Sequence, residues 1–438
     1  MNRHAIAIVN ALRRQGHEAY LVGGCVRDLL LGRKPKDYDI ATGARPEEVI
    51  AAFPRTIPVG AQFGVVIVRK GGRNFEVATF RKDAGYSDGR HPDRVAFATA
   101  RADARRRDFT INGMFYDPVA GEVMDFVGGQ RDLAAGVIRA IGNPDRRFDE
   151  DKLRMLRAVR FAARLGYEIE KKTAAAIKSR AVEIKEVSAE RIGAEVAMLL
   201  TCPGAGRGLR LLEDLGLLAA VLPEVAAMRG VAQPPQFHPE GDVLEHTLMM
   251  VEMIPRRLRG SLVLALAALL HDVGKPPTFS VSDRIRFNNH PAVGAEMTEK
   301  ILRRLRLPRE TGELVGTLVR EHLKFIEVGN MRPATLKRFL RQDRFDLHLE
   351  LHRLDCLSSH GDLSWYRFCS DKLKELAAAK APLRPPKLIG GADLIALGLL
   401  PGPAFKRILG EVEDAQLEGR VATREEALRL VRSLAAAL

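Results

Sequence analysis

Asp37 and Asp39 stand two residues apart at the head of an apolar run, inside LVGGCVRDLLLGRKPKDYDIAT (residues 21–42). Side chains two apart on a strand face the same way, so the two carboxylates would lie side by side as a grip for divalent cations. Transfer of a phosphoryl or nucleotidyl group to a hydroxyl needs that grip, to activate the attacking oxygen and to steady the leaving pyrophosphate. Glu76, on the returning strand of a hairpin, is the best-placed third carboxylate. Gly23 and Gly24 let backbone amides approach a phosphate, and Arg27 adds charge one helical turn later. A pair of aspartates alone, or two glycines alone, is more often a plain loop or turn. Their conjunction in one α/β unit is what points to chemistry.

Two basic stretches follow. Arg105, Arg106, Arg107 and Asp108 run into FTIN, read as the start of a strand, where such crowding needs an anion to compensate it. Arg107 is a candidate for phosphate or ribose, Asp108 for a ribose hydroxyl or for orienting that arginine, and Asn112 for fixing the local backbone. The segment EDKLRMLRAVRFAARLG reads as one helix, with Asp151, Arg154, Arg157, Arg160 and Arg164 in a single polar stripe. A carboxylate and a guanidinium one turn apart present acceptors and donors to a base edge, so protein side chains would choose a nucleotide without a nucleic-acid template. The bland alternative is a salt-bridged solvent face.

A third group of residues is rich in histidine: HTLMM from 246, LLHDVGK at 269–275, NHP at 289–291, EHLKF at 321–325 and LHRLD at 351–355. Imidazole and carboxylate together suit Mn²⁺, Mg²⁺, Ni²⁺ or Fe²⁺. His238, His348, His352 and His360 are left over and read as surface or core histidines.

The elements that must position these groups divide the chain unevenly. The first 145 residues alternate helix and strand; beyond Asp149 only helices are expected, broken by VAQPPQFHPEGD and APLRPPKLIGG. The fold class is therefore α+β, a mixed N-terminal domain followed by all-helical ones. The expected divisions are 1–145, 146–235, 236–378 and 379–438, the last with two helices around a Pro-Gly-Pro turn. With 438 residues and 46% apolar side chains the chain can bury several cores, which excludes disorder. Lys and Arg number 69 against 55 acidic residues, a charge of +14 that favours a polyanion such as nucleic acid. Four cysteines in no paired pattern argue for a reducing, cytoplasmic setting and against thiolate zinc. The longest apolar run, residues 262–270, is too short to span a membrane.

LVGGCVRDLLLG…KDYDIAT, RRRDFTINGM, DEDKLRMLRAVRFAARLG and SAERIGAE together resemble the class II tRNA nucleotidyltransferase and bacterial poly(A) polymerase family of the DNA polymerase beta superfamily. That resemblance implies a head, neck, body and tail, with catalytic Asp37 and Asp39 using Mg²⁺. It implies a nucleotide-selecting cluster at Glu150, Asp151 and Arg154, the acidic pair being adjacent in this chain. Arg157 and Arg160 would face triphosphate or base, and Arg107 and Asp108 would hold sugar and phosphate. DAGYSDGRHPDRVAF, with Asp83, Tyr86 and Arg90, resembles the loop that switches the family from CTP to ATP, and argues against an enzyme adding only cytidines. The implied activity is CCA addition to tRNA from CTP and ATP, the alternatives being poly(A) or single-adenosine addition. The ending resembles the family's tail, with a basic helix that would grip the tRNA elbow. The histidine series resembles HD phosphohydrolases: His246, His271, Asp272 and Asp355 as core ligands, His290 and His322 where two-metal members bind, Lys275 toward a phosphate. Phosphatase or cyclic phosphodiesterase activity is what this implies, and a hydrolase with an RNA-binding N-terminal half is the rival of another class.

Overall fold

Ala5, Ile8, Val9 and Leu12 recur at helical spacing and bury one face of the first helix, Arg3–Arg14, whose cap is the Asn2 side chain accepting from the His4 amide. The computed structural model describes residues 2–58, 63–84, 94–236, 238–378 and 383–436. Its strands in chain order begin with β1 (Ala19–Val22), β2 (Asp39–Thr42), β3 (Thr56–Ile57), β4 (Val65–Lys70) and β5 (Arg73–Thr79). There follow β6 (Arg81–Ala84), β7 (Arg94–Phe97), β8 (Phe115–Asp117) and β9 (Glu122–Met124). Seven of them form one sheet in the order β3-β4-β5-β2-β1-β8-β9, and β6 pairs with β7 apart from it. Only β2 and β5 run parallel; every other pair in the large sheet is antiparallel. Alternation does the sorting: Val66, Val68, Phe75 and Val77 are buried while their neighbours on the two strands face the other way.

Three local expectations are corrected. The hairpin read from residue 109 starts at Phe115, because Thr110–Asn112 winds into a 3-10 turn and Ala100–Arg106 before it is a helix. The helix read across 150–165 is two, Pro144–Glu150 and Arg154–Leu165. Asp151 between them is extended, at φ −157° and ψ 104°, and its carboxylate takes the Leu153 amide at 3.1 Å, which competes with helix continuation. Strands also occur beyond Asp149: Glu168–Ile169 pairs with Val137–Ile138, and Phe279–Val281 forms a hairpin with Ile285–Phe287.

The chain divides into two compact units. The first holds Met1–Ala227, Pro255–Leu262 and Ile301–Arg309, and the second holds the remainder. In the second, Phe325, Val328, Phe339, Phe345 and Cys369 form a core under the histidine-bearing helices. Its C-terminal part has three helices, one more than expected: Gly391–Ala396, Pro403–Leu417 and Arg424–Ala436 around Leu394, Ile408, Val412 and Val431. The middle one turns Glu413 and Asp414 to Arg341 and Arg338 at 2.7 and 2.5 Å, so its acidic half is used for packing. Among the described residues no helix is long and apolar enough to cross a membrane.

Candidate active site

Asp39 opens β2 and Asp37 lies in the extended residues just before it, with Tyr38 and Ile40 buried on the opposite side. Both carboxylates line one cavity of about 630 Å³, as do Gly23, Gly24, Arg27 and Asn112. The parallel register sets Ile40 against Val77, which brings Asp39 beside Glu76. Burial, then the charge of Glu76, pushes the Asp39 carboxyl up to about 6. Glu76 itself is exposed and lies outside the residues lining that cavity. Gly23 has φ +73°, and a Cβ there would stand 3.2 Å from Arg107 Nη1 and 3.9 Å from Asp39 Oδ2, so a side chain would intrude where backbone now borders the carboxylates.

The same cavity is also lined by Arg107, Asp108, Asp151, Arg154, Arg157, Arg160 and Arg164. The stripe read from helical spacing thus stays on one face, although Asp151 joins it from the break between two helices. These side chains are tied to one another. Arg27 Nη1 donates to Asn112 Oδ1 at 2.7 Å, and Asn112 Nδ2 donates to Asp108 Oδ1 at 3.2 Å. Asp108 Oδ2 accepts from Arg157 Nη2 at 2.7 Å; Glu195 accepts from Arg157 at 3.4 Å and from Arg160 Nε at 2.5 Å. Burial works against the Asp108 charge, and Arg157 outweighs it, holding the carboxyl below its usual range. Asp151 bonds Arg191 at 2.8 Å, Arg154 bonds Glu150 at 2.6 Å, and Arg107 bonds Asp103 at 3.0 Å. Arg107 and Asp108 therefore have protein partners of their own, in the bend between a helix end and a 3-10 turn instead of at the start of a strand. Asp103, Arg191 and Glu195 were missed in the sequence reading; only the Asp103 partner, four residues before Arg107 on one helix, had a local signal. Tyr86 and Arg90 lie outside the described residues, and Asp83 is described by its backbone alone, on β6.

In the second unit the histidine series converges. His246 and His271 approach through their Nε2 atoms at 3.3 Å, and His246 Nε2 lies 3.2 Å from Asp355 Oδ1. Asp272 Oδ1 lies 3.4 Å from His290 Nε2 and 3.9 Å from His322 Nε2. His246, His271 and Asp355, and Asp272, His290 and His322, are thus two adjoining groups whose ligand atoms could each hold a metal ion. His271, His290 and His322 each set Nδ1 on a backbone carbonyl three residues back, at 3.0, 2.9 and 2.6 Å, which turns Nε2 inward. Burial pushes His322 down to about 3 and keeps it neutral; Asp272 and Asp355 stay ionised, burial being outweighed by the surrounding cationic groups. The buried His290 Nε2 has no hydrogen-bond partner, so the donor set fits a cation between these side chains. Lys275 is buried, its Nζ is bound to Asp272 and Gln233, both at 2.6 Å, and it lines a cavity with His290, His322 and Asp355. His238 is not spare either, since Glu240 bridges it and His246 at 2.8 and 2.7 Å. His348 and His352 are buried on the helix Phe345–Ser358, and His360 accepts from the Asp362 amide at 3.0 Å.

Comparison with known proteins fits this geometry. Residues 19–139 match the poly(A) polymerase head domain, 166–229 the probable RNA and SrmB-binding site of polymerase A, and 243–347 the HD domain. The CCA-adding enzyme of Geobacillus kaustophilus is 46% identical over 224 residues, 51% of this chain and 55% of that protein. That of Lactobacillus helveticus is 42% identical over 230 residues, 52% and 57% of the two chains. The chain thus spans about half the length of the curated relatives it matches. The structure of the Bacillus stearothermophilus CCA-adding enzyme in complex with CTP superposes with a TM-score of 0.76 at 28% identity, covering 100% of this chain and 99% of that one. The Thermotoga maritima CCA-adding enzyme complexed with tRNA shares the fold, with a TM-score of 0.62 at 22% identity over 99% and 94%. Along the chain the matches to the poly(A) polymerase head domain, the RNA-binding region after it and the HD domain therefore follow one another in this order.

Proposed function

We propose that this protein adds CCA to the 3′ end of tRNA without a template, using CTP and ATP. The observation that carries the reading is one cavity lined by Asp37 and Asp39 together with Asp151, Arg154 and Arg157. Asp37, Asp39 and the neighbouring Glu76 would hold Mg²⁺, which supplies the charge that favours loss of the hydroxyl proton and departure of pyrophosphate. Either aspartate would receive that proton as the RNA 3′ oxygen attacks the α-phosphorus in line. The Gly23-Gly24 turn gives the triphosphate a close approach to backbone, with Arg27 and Arg107 behind it, and Asp151 with Arg154 meets the edge of the base. Fixed pairing of Arg157 and Arg160 keeps that contour in place.

The HD cluster is proposed to bind Mn²⁺, Ni²⁺, Mg²⁺ or Fe²⁺ and to hydrolyse phosphate esters. The support is its ionised carboxylates and carbonyl-anchored imidazoles. We keep a division into head (1–145), neck (146–235), HD domain (236–378) and tail (379–438). Cys25, Cys202, Cys356 and Cys369 are all buried and unbridged, which supports a cytoplasmic location.

The test is sequencing of RNA 3′ ends after incubation of tRNA transcripts lacking CCA with each nucleotide alone and together. Three residues and a stop are expected. Long adenosine tracts, or a need for the two cytidines already in place, would select the poly(A) or single-adenosine reading instead. Asp39→Ala should abolish incorporation and spare metal-dependent hydrolysis; loss of both, or of neither, refutes the division of labour.

A further inference from the structure

Charge is arranged differently inside and beside the active cavity. Inside it, Arg107, Arg154, Arg157 and Arg160 are each held by a carboxylate. Beside it on the same head domain lie two more cavities, of about 780 and 620 Å³, which share Asn2, Tyr38 and Arg73. Arg33 and Lys34 line the larger, Lys36 and Arg69 the smaller, and among the described residues none of these five cations makes an ion pair. Asp37 lines both the smaller one and the active cavity, so the unpaired charge begins where the catalytic carboxylates are.

The sheet supplies a second, independent observation. In the hairpin of β4 and β5, Ile67 stands opposite Glu76, and Arg69 opposite Asn74. Alternation gives these four residues one face, the face away from buried Val66, Val68, Phe75 and Val77. Ile57, opposite Ile67 on β3, is 43% exposed there. Strand order adds direction. β2, which carries Asp39, lies between β1, which ends at the Gly23 turn, and β5, which carries Glu76. In-line displacement needs attacking and leaving oxygens on opposite sides of the phosphorus. With the triphosphate toward Gly23, the hydroxyl must come from the β5 side, and the strand behind it would cross Asn74 and Arg69, about 7 Å further along the hairpin.

We propose that these two cavities and the five unpaired cations that line them are the track of the RNA strand that ends at Asp37 and Asp39, with phosphates at Lys36, Arg69 and Arg73 and then toward Arg33 and Lys34. This rests on the transferase reading above. The test compares the full-length protein with R69Q/R73Q and R69K/R73K, using a fluorescently labelled tRNA transcript that lacks CCA. Anisotropy gives affinity against salt; steady-state incorporation gives KM for RNA and for CTP separately. For R69Q/R73Q the slope of log affinity against log salt should shrink by about 1.4, two single-strand phosphates at about 0.7 each. KM for RNA should rise by about tenfold or more with KM for CTP within about twofold, and R69K/R73K should restore both the slope and the KM. An unchanged slope and RNA KM, or a lysine variant as weak as the glutamine one, would overturn the track. A wild-type protein that binds RNA but incorporates nothing would sink the transferase reading, and the salt slope alone would then decide the track.

Discussion

His348 offers a quantitative test of how burial sets the acid response of the second unit. It is 2% exposed on the helix Phe345–Ser358, its ring is stacked on Phe345, and neither ring nitrogen has a hydrogen-bond partner. Burial pushes its pKa from 6.5 down to about 4. As pH falls through 6.5 the unfolded ring takes up a proton that the folded ring refuses until about 4, so stability is full above 6.5 and is lost on acidification between these values. The loss is about 2 kcal/mol by pH 5 and approaches about 3 kcal/mol below pH 4. His348→Leu removes the titration and both unpaired nitrogens. It should gain about 1 kcal/mol at neutral pH and about 3 kcal/mol at pH 5 relative to the parent. Urea melts at several pH values, followed by the fluorescence of Trp365, the only tryptophan in the chain, report on this unit because the indole lies against Gly329 in the same unit. His352, also pushed down to about 4 by burial, and His322, pushed down to about 3, remain in the variant, so a pH dependence from those rings persists. Parallel stability curves for parent and variant from neutral pH to pH 5 would refute the reasoning.

Three further outcomes follow. Glu195→Gln strips the charge from a 4% exposed carboxylate that holds Arg157 and Arg160, and should cost about 3 kcal/mol in the melting of the first unit while raising KM for CTP more than KM for RNA. Gly23→Ala forces a side chain into a positive-φ turn beside Arg107 and should cost about 1–3 kcal/mol, with incorporation falling by at least about tenfold. Removal of divalent ions by chelation should lower the melting temperature of the second unit and abolish hydrolysis, with His290→Ala insensitive to added Mn²⁺; equal melting with and without chelator would argue against a bound ion.

The acidic pair was legible because alternation is a local rule: Asp37 and Asp39 needed only Tyr38 and Ile40 to turn the other way. The arginine stripe was legible for the same reason at helical period. What it is tied to was not, since Arg191, the partner of Asp151, and Glu195, the partner of Arg157 and Arg160, lie about forty residues beyond Asp151 and meet the stripe only through helix packing. The break at Asp151 was hidden because Glu, Asp, Lys and Leu are all acceptable in a helix, and it took a side-chain bond to the Leu153 amide to end one there. FTIN has strand-like composition, yet Thr110 Oγ1 is bonded to Asp132 at 2.8 Å and the backbone winds instead of extending. The partner of Lys275 was not legible either, since the chain gives no sign that Gln233, forty-two residues earlier, would lie against it.

Asp151 has one oxygen on the Leu153 amide and the other on Arg191, at a joint between two helices. A nucleic-acid template yields to whichever base it meets; a carboxylate pinned at both ends does not. Its unused lone pairs keep a fixed bearing, and on the proposed reading a base would be accepted or refused by fit to that bearing. On that reading a change of preference from one nucleotide to the other would have to travel through the joint, or through the segment that carries Arg191, because rotation of a single side chain would first have to release both anchors.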